Sequence, residues 1–193
     1  METAKNQLIE NLKAIFPFGK TEEEAISSCL TPFTAKKREF LLKKGDVCDK
    51  IYFLMQGAIR EFILDKDQKE ITVWFGFEGD IVVSLSSLVY SKGSHTGLQA
   101  LEDSMGFYIE KPALDELYAK FHTLERMGRI VTEKYLLSTE TYHYDFHYLT
   151  ANERFEKLQK DRMWIYNRVP LHYIASYLGV SNETLSRIRA KKS

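Results

Sequence analysis

Several polar and basic residues close to the C-terminus have side chains that can contact a nucleic acid. Amide, carboxylate and guanidinium groups can bond to base edges, while hydroxyl and basic groups can bind phosphates. The residues of this kind that would point outward from a helix are Asn182, Glu183, Thr184, Ser186, Arg187, Arg189, Lys191 and Lys192. A helix of about 10 residues is about 15 Å long, which is enough to lie in a major groove. We therefore interpret this segment as a candidate DNA-reading helix.

The residues before and within this segment predict two helices joined by a sharp turn. Gly179 can adopt the left-handed conformation that ends a helix, and Ser181 can cap the next one. The positions expected to face inward are Ile174, Ala175, Leu178, Val180, Leu185 and Ile188. This spacing is typical of a helix-turn-helix unit, and the alternative is a helical hairpin that only packs on the rest of the protein.

The distribution of charge supports a separate role for the C-terminal part. The chain of 193 residues has 27 basic and 27 acidic side chains. Residues 151–193 hold 9 basic and 4 acidic side chains, whereas residues 1–150 hold 18 basic and 23 acidic ones. A basic tail on an acidic body indicates a polyanion as the partner of the tail.

The composition excludes several classes of protein. With 44% hydrophobic and 13% aromatic residues, the chain can form a packed core, so it is not a disordered protein. Cys29 and Cys48 are too few for a disulfide framework or an iron–sulfur centre. The N-terminus lacks a signal-peptide pattern, and no apolar run approaches the ~20 residues that span a membrane. We expect a cytoplasmic protein with reduced thiols.

The middle of the chain is predicted to form a small β-barrel or β-roll. Short β-rich runs separated by turn residues lie at 39–42, 51–55, 58–64, 70–75, 96–101 and 105–109. Gly57 fits a hairpin position that requires a positive φ. The first 35 residues are predicted to be helical, with Thr21 as the cap of a second helix, and residues 84–90 and 112–121 are predicted as further helices.

Residues 124–149 are predicted to form one long helix with two apolar seams. The seams are Ile130, Leu137 and Tyr144, and Gly128, Tyr135, Tyr142 and Leu149. One seam would pack on the barrel and the other on a second copy of the chain, whereas a buried core helix is the alternative. Thr150 and Glu153 predict a capping box for a further helix. We place the domain boundary near Leu149, which gives domains 1–149 and 150–193.

The chain resembles the cyclic-AMP receptor/fumarate–nitrate regulator (CRP/FNR) superfamily, in particular short forms from Bacteroidetes-type bacteria. Residues 174–181 and 184–189 are similar to the C-terminal signature of that group, and residues 44–46, 51–54, 57, 78–80 and 98–104 resemble its cyclic-nucleotide-binding β-roll. The resemblance implies an α+β fold: an N-terminal double-stranded β-roll and a long dimerisation helix, followed by a small all-α helix-turn-helix domain.

The resemblance also implies a function and a set of site residues. It implies a sequence-specific transcription regulator in which Asn182, Glu183 and Arg187 read bases. The implied phosphate contacts are Ser181, Thr184, Arg189, Lys191 and Lys192. The implied partners are double-stranded DNA with a palindromic site, a second copy of the chain bound through residues 124–149, and RNA polymerase.

The segments that hold the cyclic nucleotide in this family are altered here. Family members that bind it carry a Gly-Glu pair and a Pro-Arg-Ser or Pro-Arg-Ala run, where this chain has Val83-Ser84 and Gly93-Ser94-His95. Both charged anchors are missing, so we expect a degenerate pocket at Ser84, Ser94 and His95 that does not bind cAMP in the family manner. No cofactor is predicted, and the β-hairpin wing of longer members is not expected after residue 193.

Two other classes of function remain as alternatives. A metal enzyme would need two or three histidines and a carboxylate converging from the strands, but only His95 lies in that region. His143 and His147 have i,i+4 spacing, which is a weak two-ligand pattern, and the sequence has no P-loop, Rossmann or Ser–His–Asp motif. We expect neither an enzyme nor a metal site. The other alternative is a sensor or interaction module that binds another small ligand or a protein.

Overall fold

The computed structural model describes residues 2–190, and its N-terminal part begins with two helices. Helix α1 spans Glu2–Ile15 and helix α2 spans Lys20–Cys29. Their apolar faces pack together on one of the two sheets of the central part, through buried side chains that include Leu8, Leu12 and Ile26. The predicted cap at Thr21 was wrong, because α2 begins after Gly19 and Thr21 lies within its first turn.

The central part contains the strands and one short helix. The strands are β1 Thr31–Ala35, β2 Phe40–Leu42, β3 Lys50–Gln56, β4 Ile59–Leu64, β5 Glu70–Gly76, β6 Ile81–Val82, β7 Thr96–Ala100 and β8 Ser104–Glu110, and helix α3 is Leu85–Tyr90. They form one antiparallel sheet in the order β1-β8-β3-β6 and a second in the order β2-β7-β4-β5. Leu54 and Val82 from the first sheet pack with Ile59 and Leu98 from the second, so the two sheets enclose a core and form the predicted β-roll.

The turn between β3 and β4 requires a glycine. Gly57 has a φ of +110°, and a Cβ atom there would lie 2.2 Å from the hydroxyl oxygen of Ser104. Both the backbone angle and the close approach exclude a larger residue, which confirms the prediction for this hairpin position.

Two strands were not predicted, and both depend on distant partners. The sequence indicated helix through residue 35, but β1 pairs with β8, with Thr31 opposite Tyr108. Pro32 is tolerated because β1 lies at the edge of its sheet. The two-residue β6 pairs with β3 and is too short to give a periodic signal.

The C-terminal half is helical. The helices are α4 Lys111–Lys120, α5 His122–Tyr148, α6 Ala151–Arg162, α7 Ile165–Arg168, α8 Leu171–Leu178 and α9 Asn182–Ala190. The predicted capping box begins α6, because the Thr150 N–H donates to Glu153 at 2.7 Å and the Glu153 N–H donates to the Thr150 hydroxyl at 3.4 Å. Helix α7 has four residues and was not predicted.

The C-terminal helices share one apolar core with the outer surface of the second sheet. Phe75 and Phe77 from the β-roll are buried with Phe155, Ile174 and Leu185 from the helices. The α+β architecture predicted from the sequence is thereby confirmed. Within residues 2–190, no helix combines the length and the apolar character that a membrane crossing requires.

Candidate nucleic-acid interface and ligand pocket

The turn between α8 and α9 is encoded by local sequence signals. Gly179 ends α8 with a φ of 68°, and its N–H donates to the carbonyl oxygen of Ser176 at 3.1 Å. A Cβ atom on Gly179 would lie 2.9 Å from the ring of Phe146. The Ser181 hydroxyl accepts from the Thr184 N–H at 3.2 Å and caps α9. The predicted conformation of Gly179 and the predicted cap at Ser181 are both confirmed.

Helix α9 has one buried apolar side and one exposed polar side. Leu185 and Ile188 are buried in the shared core. At about 100° per residue, the side opposite these two holds Glu183, Ser186 and Arg187, and Asn182 lies about 90° from its centre; all four are exposed. Thr184 and Arg189 lie at the flanks of that side. Two of the predicted base-reading residues, Glu183 and Arg187, therefore lie near the centre of the exposed surface, and the third, Asn182, lies toward its edge at the start of α9. Two of the predicted phosphate contacts lie beside this surface.

The polar side chains of α9 interact with one another. The Arg187 guanidinium donates to the Thr184 hydroxyl at 3.2 Å, and a hydrogen bond from Ser181 lowers the pKa of Glu183. The Arg189 guanidinium lies 5.7 Å from the centroid of the Tyr166 ring. The surface thus offers donors and one ionised acceptor. The predicted phosphate contacts Lys191 and Lys192 lie outside the described residues.

Helix α8 packs against β5 of the β-roll. The Thr72 N–H on β5 donates to the Ser176 hydroxyl at 3.0 Å. Next to this bond, the rings of Phe75 and Tyr177 have centroids 5.3 Å apart. The first helix of the helix-turn-helix unit is therefore fixed directly to the sheet.

A buried arginine lies at the same contact. Arg60 on β4 is 1% exposed, and its guanidinium carbon lies 4.0 Å from the centroid of Tyr173 on α8 and 4.5 Å from that of Phe62. The Arg60 guanidinium also pairs with Glu70 and donates to Gln99. The charge is thus held by a carboxylate, an amide oxygen and two ring faces.

Arg168 on α7 joins the C-terminal helices to three turns of the β-roll. Its guanidinium donates to both carboxylate oxygens of Glu78, at 2.8 and 2.7 Å, and to the carbonyl oxygen of Gly57 at 3.0 Å. It also pairs with Glu102. The hydrogen bonds from Arg168 are the main cause that lowers the pKa of Glu78 to about 2.

The two seams of α5 have different surroundings. Tyr142 of one seam packs on Tyr177 of α8, with ring centroids 5.2 Å apart. Leu137 and Tyr144 of the other seam are 61% and 59% exposed. Exposed apolar side chains in a row on one helix face are typical of a surface that another protein covers. One seam thus packs on the protein itself, and the other is open to solvent.

The predicted degenerate pocket is closed by hydroxyl groups. The hydroxyl oxygens of Ser84 and Ser94 are 2.7 Å apart, and that of Thr96 lies 3.2 Å from each. Ser84 and Ser94 are buried. His95 is exposed, so the structure does not bring its side chain together with the two serines. Neutral hydroxyls therefore lie where the resemblance leads one to expect a glutamate, at Ser84, and a phosphate-binding arginine, at Ser94.

A cleft of about 570 Å³ lies between the β-roll, α5 and the C-terminal helices. Glu61 on β4 contributes a carboxylate to this cleft and is only 7% exposed. Burial raises the pKa of Glu61, an effect opposed by a hydrogen bond from Thr96. Burial also raises the pKa of the Tyr135 phenol, with a smaller contribution from the charge of Glu61.

The sequence analysis did not single out Arg60, Glu61 or Arg168. A signal was present for the first two, because a charged pair interrupts the otherwise apolar run 58–64 of a predicted strand. Arg168 offered no such signal, since Gly57 lies 111 positions away in the chain. Within residues 2–190, no group of three or more His, Cys, Asp or Glu side chains is arranged to hold a metal ion, and His143 and His147 are exposed.

Comparisons with known proteins bear on both halves of the chain. Residues 32–121 match the family model of the cyclic nucleotide-binding domain. The transcriptional activator protein Anr of Pseudomonas protegens is 28% identical over 79% of this chain, and the match covers 66% of Anr. The chain therefore spans just under two thirds of the length of that relative.

Two solved structures show the same fold over most of the chain. FixK2 from Bradyrhizobium japonicum superposes with a TM-score of 0.72 at 20% identity, covering 84% of this chain and 83% of FixK2. The c-di-GMP-responsive global regulator CLP from Xanthomonas campestris also has a TM-score of 0.72, at 16% identity, covering 90% of this chain and 91% of CLP.

Proposed function

We propose that this chain is a member of the CRP/FNR superfamily and a sequence-specific DNA-binding transcription regulator that acts as a homodimer. The match of residues 32–121 to the cyclic nucleotide-binding domain and the similarity to Anr and FixK2 support this proposal. The observation that carries the proposal is the exposed polar side of α9, which lies directly after a glycine turn and above buried Leu185 and Ile188. A helix of nine residues, at about 1.5 Å per residue, fits along a major groove.

The polar side of α9 divides into two kinds of DNA contact. For base reading, Arg187 suits guanine O6 and N7, Asn182 suits adenine, and Glu183 accepts from the amine of cytosine. The groups that position the helix on phosphates are Ser181, Thr184, Arg189, Lys191 and Lys192. The base-reading residues determine which DNA sequence is bound, and the phosphate contacts mainly determine how strongly the binding affinity depends on salt.

The dimer forms through residues 124–149, with the exposed seam of α5 as its contact. Two copies related by a two-fold axis present their α9 helices about 34 Å apart, which requires a palindromic site. The sensor domain comprises residues 1–149 and the DNA-binding domain residues 150–193. A signal in the sensor acts by shifting the α5 contact and hence the spacing of the two α9 helices. RNA polymerase is a further partner of the DNA-bound dimer.

Selection of binding sites from random duplexes tests the DNA-binding role. We expect the purified protein to enrich one palindrome and to lose affinity for it steeply as salt rises. Arg187→Ala should weaken binding to that palindrome by roughly 5- to 150-fold and relax the preference at one base pair of each half-site. Lys20→Ala is the matched control, because it removes one positive charge from the exposed surface of α2.

Two results would count against this role. One is that no duplex is enriched over random sequence. The other is that Lys20→Ala weakens binding as much as Arg187→Ala, since binding would then depend on net charge alone.

Sedimentation of a variant with a charge in the exposed seam tests the dimer. Leu137→Glu places a carboxylate at the centre of the proposed contact, and we expect it to sediment as a monomer while the unmodified protein sediments as a dimer. Lys20→Glu provides the control for an added negative charge. A monomeric unmodified protein, or an unchanged dimer with Leu137→Glu, would exclude this interface.

A further inference from the structure

A buried carboxylate faces the large cleft between the β-roll and α5. Glu61 is 7% exposed and lines the cleft together with Trp74 and Thr96 of the β-roll. Tyr135 and Thr139 of α5 line the opposite side. The volume of about 570 Å³ lies in the usual range for small-molecule sites.

Glu61 has no cationic partner of its own. Across the described residues, no Lys, Arg or His nitrogen lies within 4.0 Å of its carboxylate. The neighbouring Arg60 is directed to the other face of β4, where it pairs with Glu70 and stacks on Tyr173. The alternation of side chains along β4 therefore separates the two charges.

The basic side chains that line the far part of the cleft are engaged elsewhere. Lys157 pairs with Asp145 at 2.5 Å. Arg154 donates to backbone carbonyl oxygens, among them that of Leu178 at 2.8 Å. The guanidinium of Arg162 lies 6.0 Å from the centroid of the Phe77 ring. None of these three forms an ion pair with Glu61 in the structure.

The hydroxyl groups beside Glu61 orient the carboxylate but do not balance its charge. Thr96 lines the cleft beside Glu61 and opposes the rise in the pKa of its carboxyl, and the Thr96 hydroxyl lies 3.2 Å from those of Ser84 and Ser94. A carboxylate taken out of water without an opposite charge is costly, and a ligand that brings that charge recovers the cost. The complementary group for Glu61 is therefore a cation with N–H donors.

The surroundings favour a planar cation. A guanidinium or amidinium group can donate two parallel hydrogen bonds to one carboxylate. Its flat face can also stack on an aromatic ring, and Trp74 and Tyr135 both line the cleft.

We propose that this cleft binds a small effector with a planar cationic group of the guanidinium or amidinium class, which pairs with the Glu61 carboxylate. The inference rests on the proposed function, because it names the class of effector that the sensor of the regulator recognises.

Calorimetric titration of the full chain with benzamidine, agmatine and the neutral analogue benzamide tests this inference. We expect saturable binding of at least one of the two cations and at least tenfold weaker binding of benzamide. Glu61→Gln should weaken binding of the cation at least tenfold, because it keeps the shape and removes the charge. The matched control is Glu140→Gln, which neutralises an exposed carboxylate on α5 and should leave binding unchanged.

The inference is overturned if neither cation binds, if benzamide binds as tightly as benzamidine, or if Glu61→Gln binds like the unmodified protein. If Glu61→Gln does not fold, the inference is tested by the affinities of the unmodified protein for the cationic probes and for neutral benzamide. Binding to a selected duplex is measured separately without probe. If the protein binds a selected duplex but neither cationic probe, the proposed effector class is wrong and the proposed function stands. If it binds a probe but prefers no duplex, the proposed function is wrong and the effector class stands.

Discussion

Replacement of Arg168 by methionine is expected to destabilise the contact between the β-roll and the C-terminal helices. The substitution removes two hydrogen bonds to Glu78 and one to the carbonyl oxygen of Gly57, and it leaves Glu78 and Glu102 without their shared cation. Methionine keeps an unbranched side chain beside the Phe77 ring, whose centroid lies 5.2 Å from the guanidinium carbon of Arg168. The loss should therefore reflect charge and hydrogen bonding more than packing.

The size of this effect follows from the pKa of Glu78. Its displacement from 4.5 to about 2 corresponds to about 3 kcal/mol at full strength. Because the side chain of Glu78 is 41% exposed, solvent screening reduces this value. We expect Arg168→Met to lower the free energy of unfolding at neutral pH by about 1–2 kcal/mol.

The effect should depend on pH in a defined direction. Glu78 has a lower pKa in the folded protein than in the unfolded chain, so its contribution is complete above about pH 4.5 and is lost as the pH falls toward 2. The difference between the unmodified protein and Arg168→Met should shrink over that interval. Urea unfolding at several pH values measures it.

Lys36→Met is the control, because it breaks an ion pair with Asp103 in which both side chains are well exposed. We expect it to change the free energy of unfolding much less than Arg168→Met does, because solvent screens an exposed ion pair. A loss of similar size in both variants, or a loss for Arg168→Met that stays constant down to pH 2, would refute the reasoning.

Three further outcomes are expected. Gly179→Ala should lower the free energy of unfolding by more than Gly45→Ala, because both have a positive φ but only the Cβ at Gly179 meets another side chain. Thr150→Ala should cost about 1 kcal/mol by removing the capping box, whereas Thr141→Ala on the exposed face of α5 should cost little; equal losses in urea unfolding would contradict this. Calorimetry should detect no cAMP binding in the low micromolar range. Such binding would contradict the expectation that the pocket at Ser84 and Ser94 does not bind cAMP in the family manner.

The features that the sequence predicted well are those set by neighbouring residues. Gly179 and Ser181 define the turn between α8 and α9, and Thr150 with Glu153 defines the start of α6. Each signal acts within about four positions of the chain, so one sequence is enough to reveal it. Thr21 is the exception, because Gly19 occupies the N-cap position and α2 begins there without a side-chain cap.

The features that the sequence did not predict depend on distant partners. The Thr72 N–H and the Ser176 hydroxyl are 104 positions apart, and no local pattern indicates that α8 docks on β5. The charged pair Arg60-Glu61 is visible in the sequence, but the cleft that Glu61 lines with Tyr135 of α5 is formed by residues more than 70 positions apart. His95 was grouped with Ser84 and Ser94 because of its position in the sequence, but its side chain is exposed while theirs are buried.

The most direct test of the DNA-binding account is methylation protection of guanine N7 on a selected duplex. The account predicts protected guanines in the major groove of two half-sites about one helical turn apart, with the protection at one guanine per half-site lost in Arg187→Ala. A duplex bound without protection of any major-groove guanine in a site that contains them, or the same protection pattern with Arg187→Ala, would contradict it.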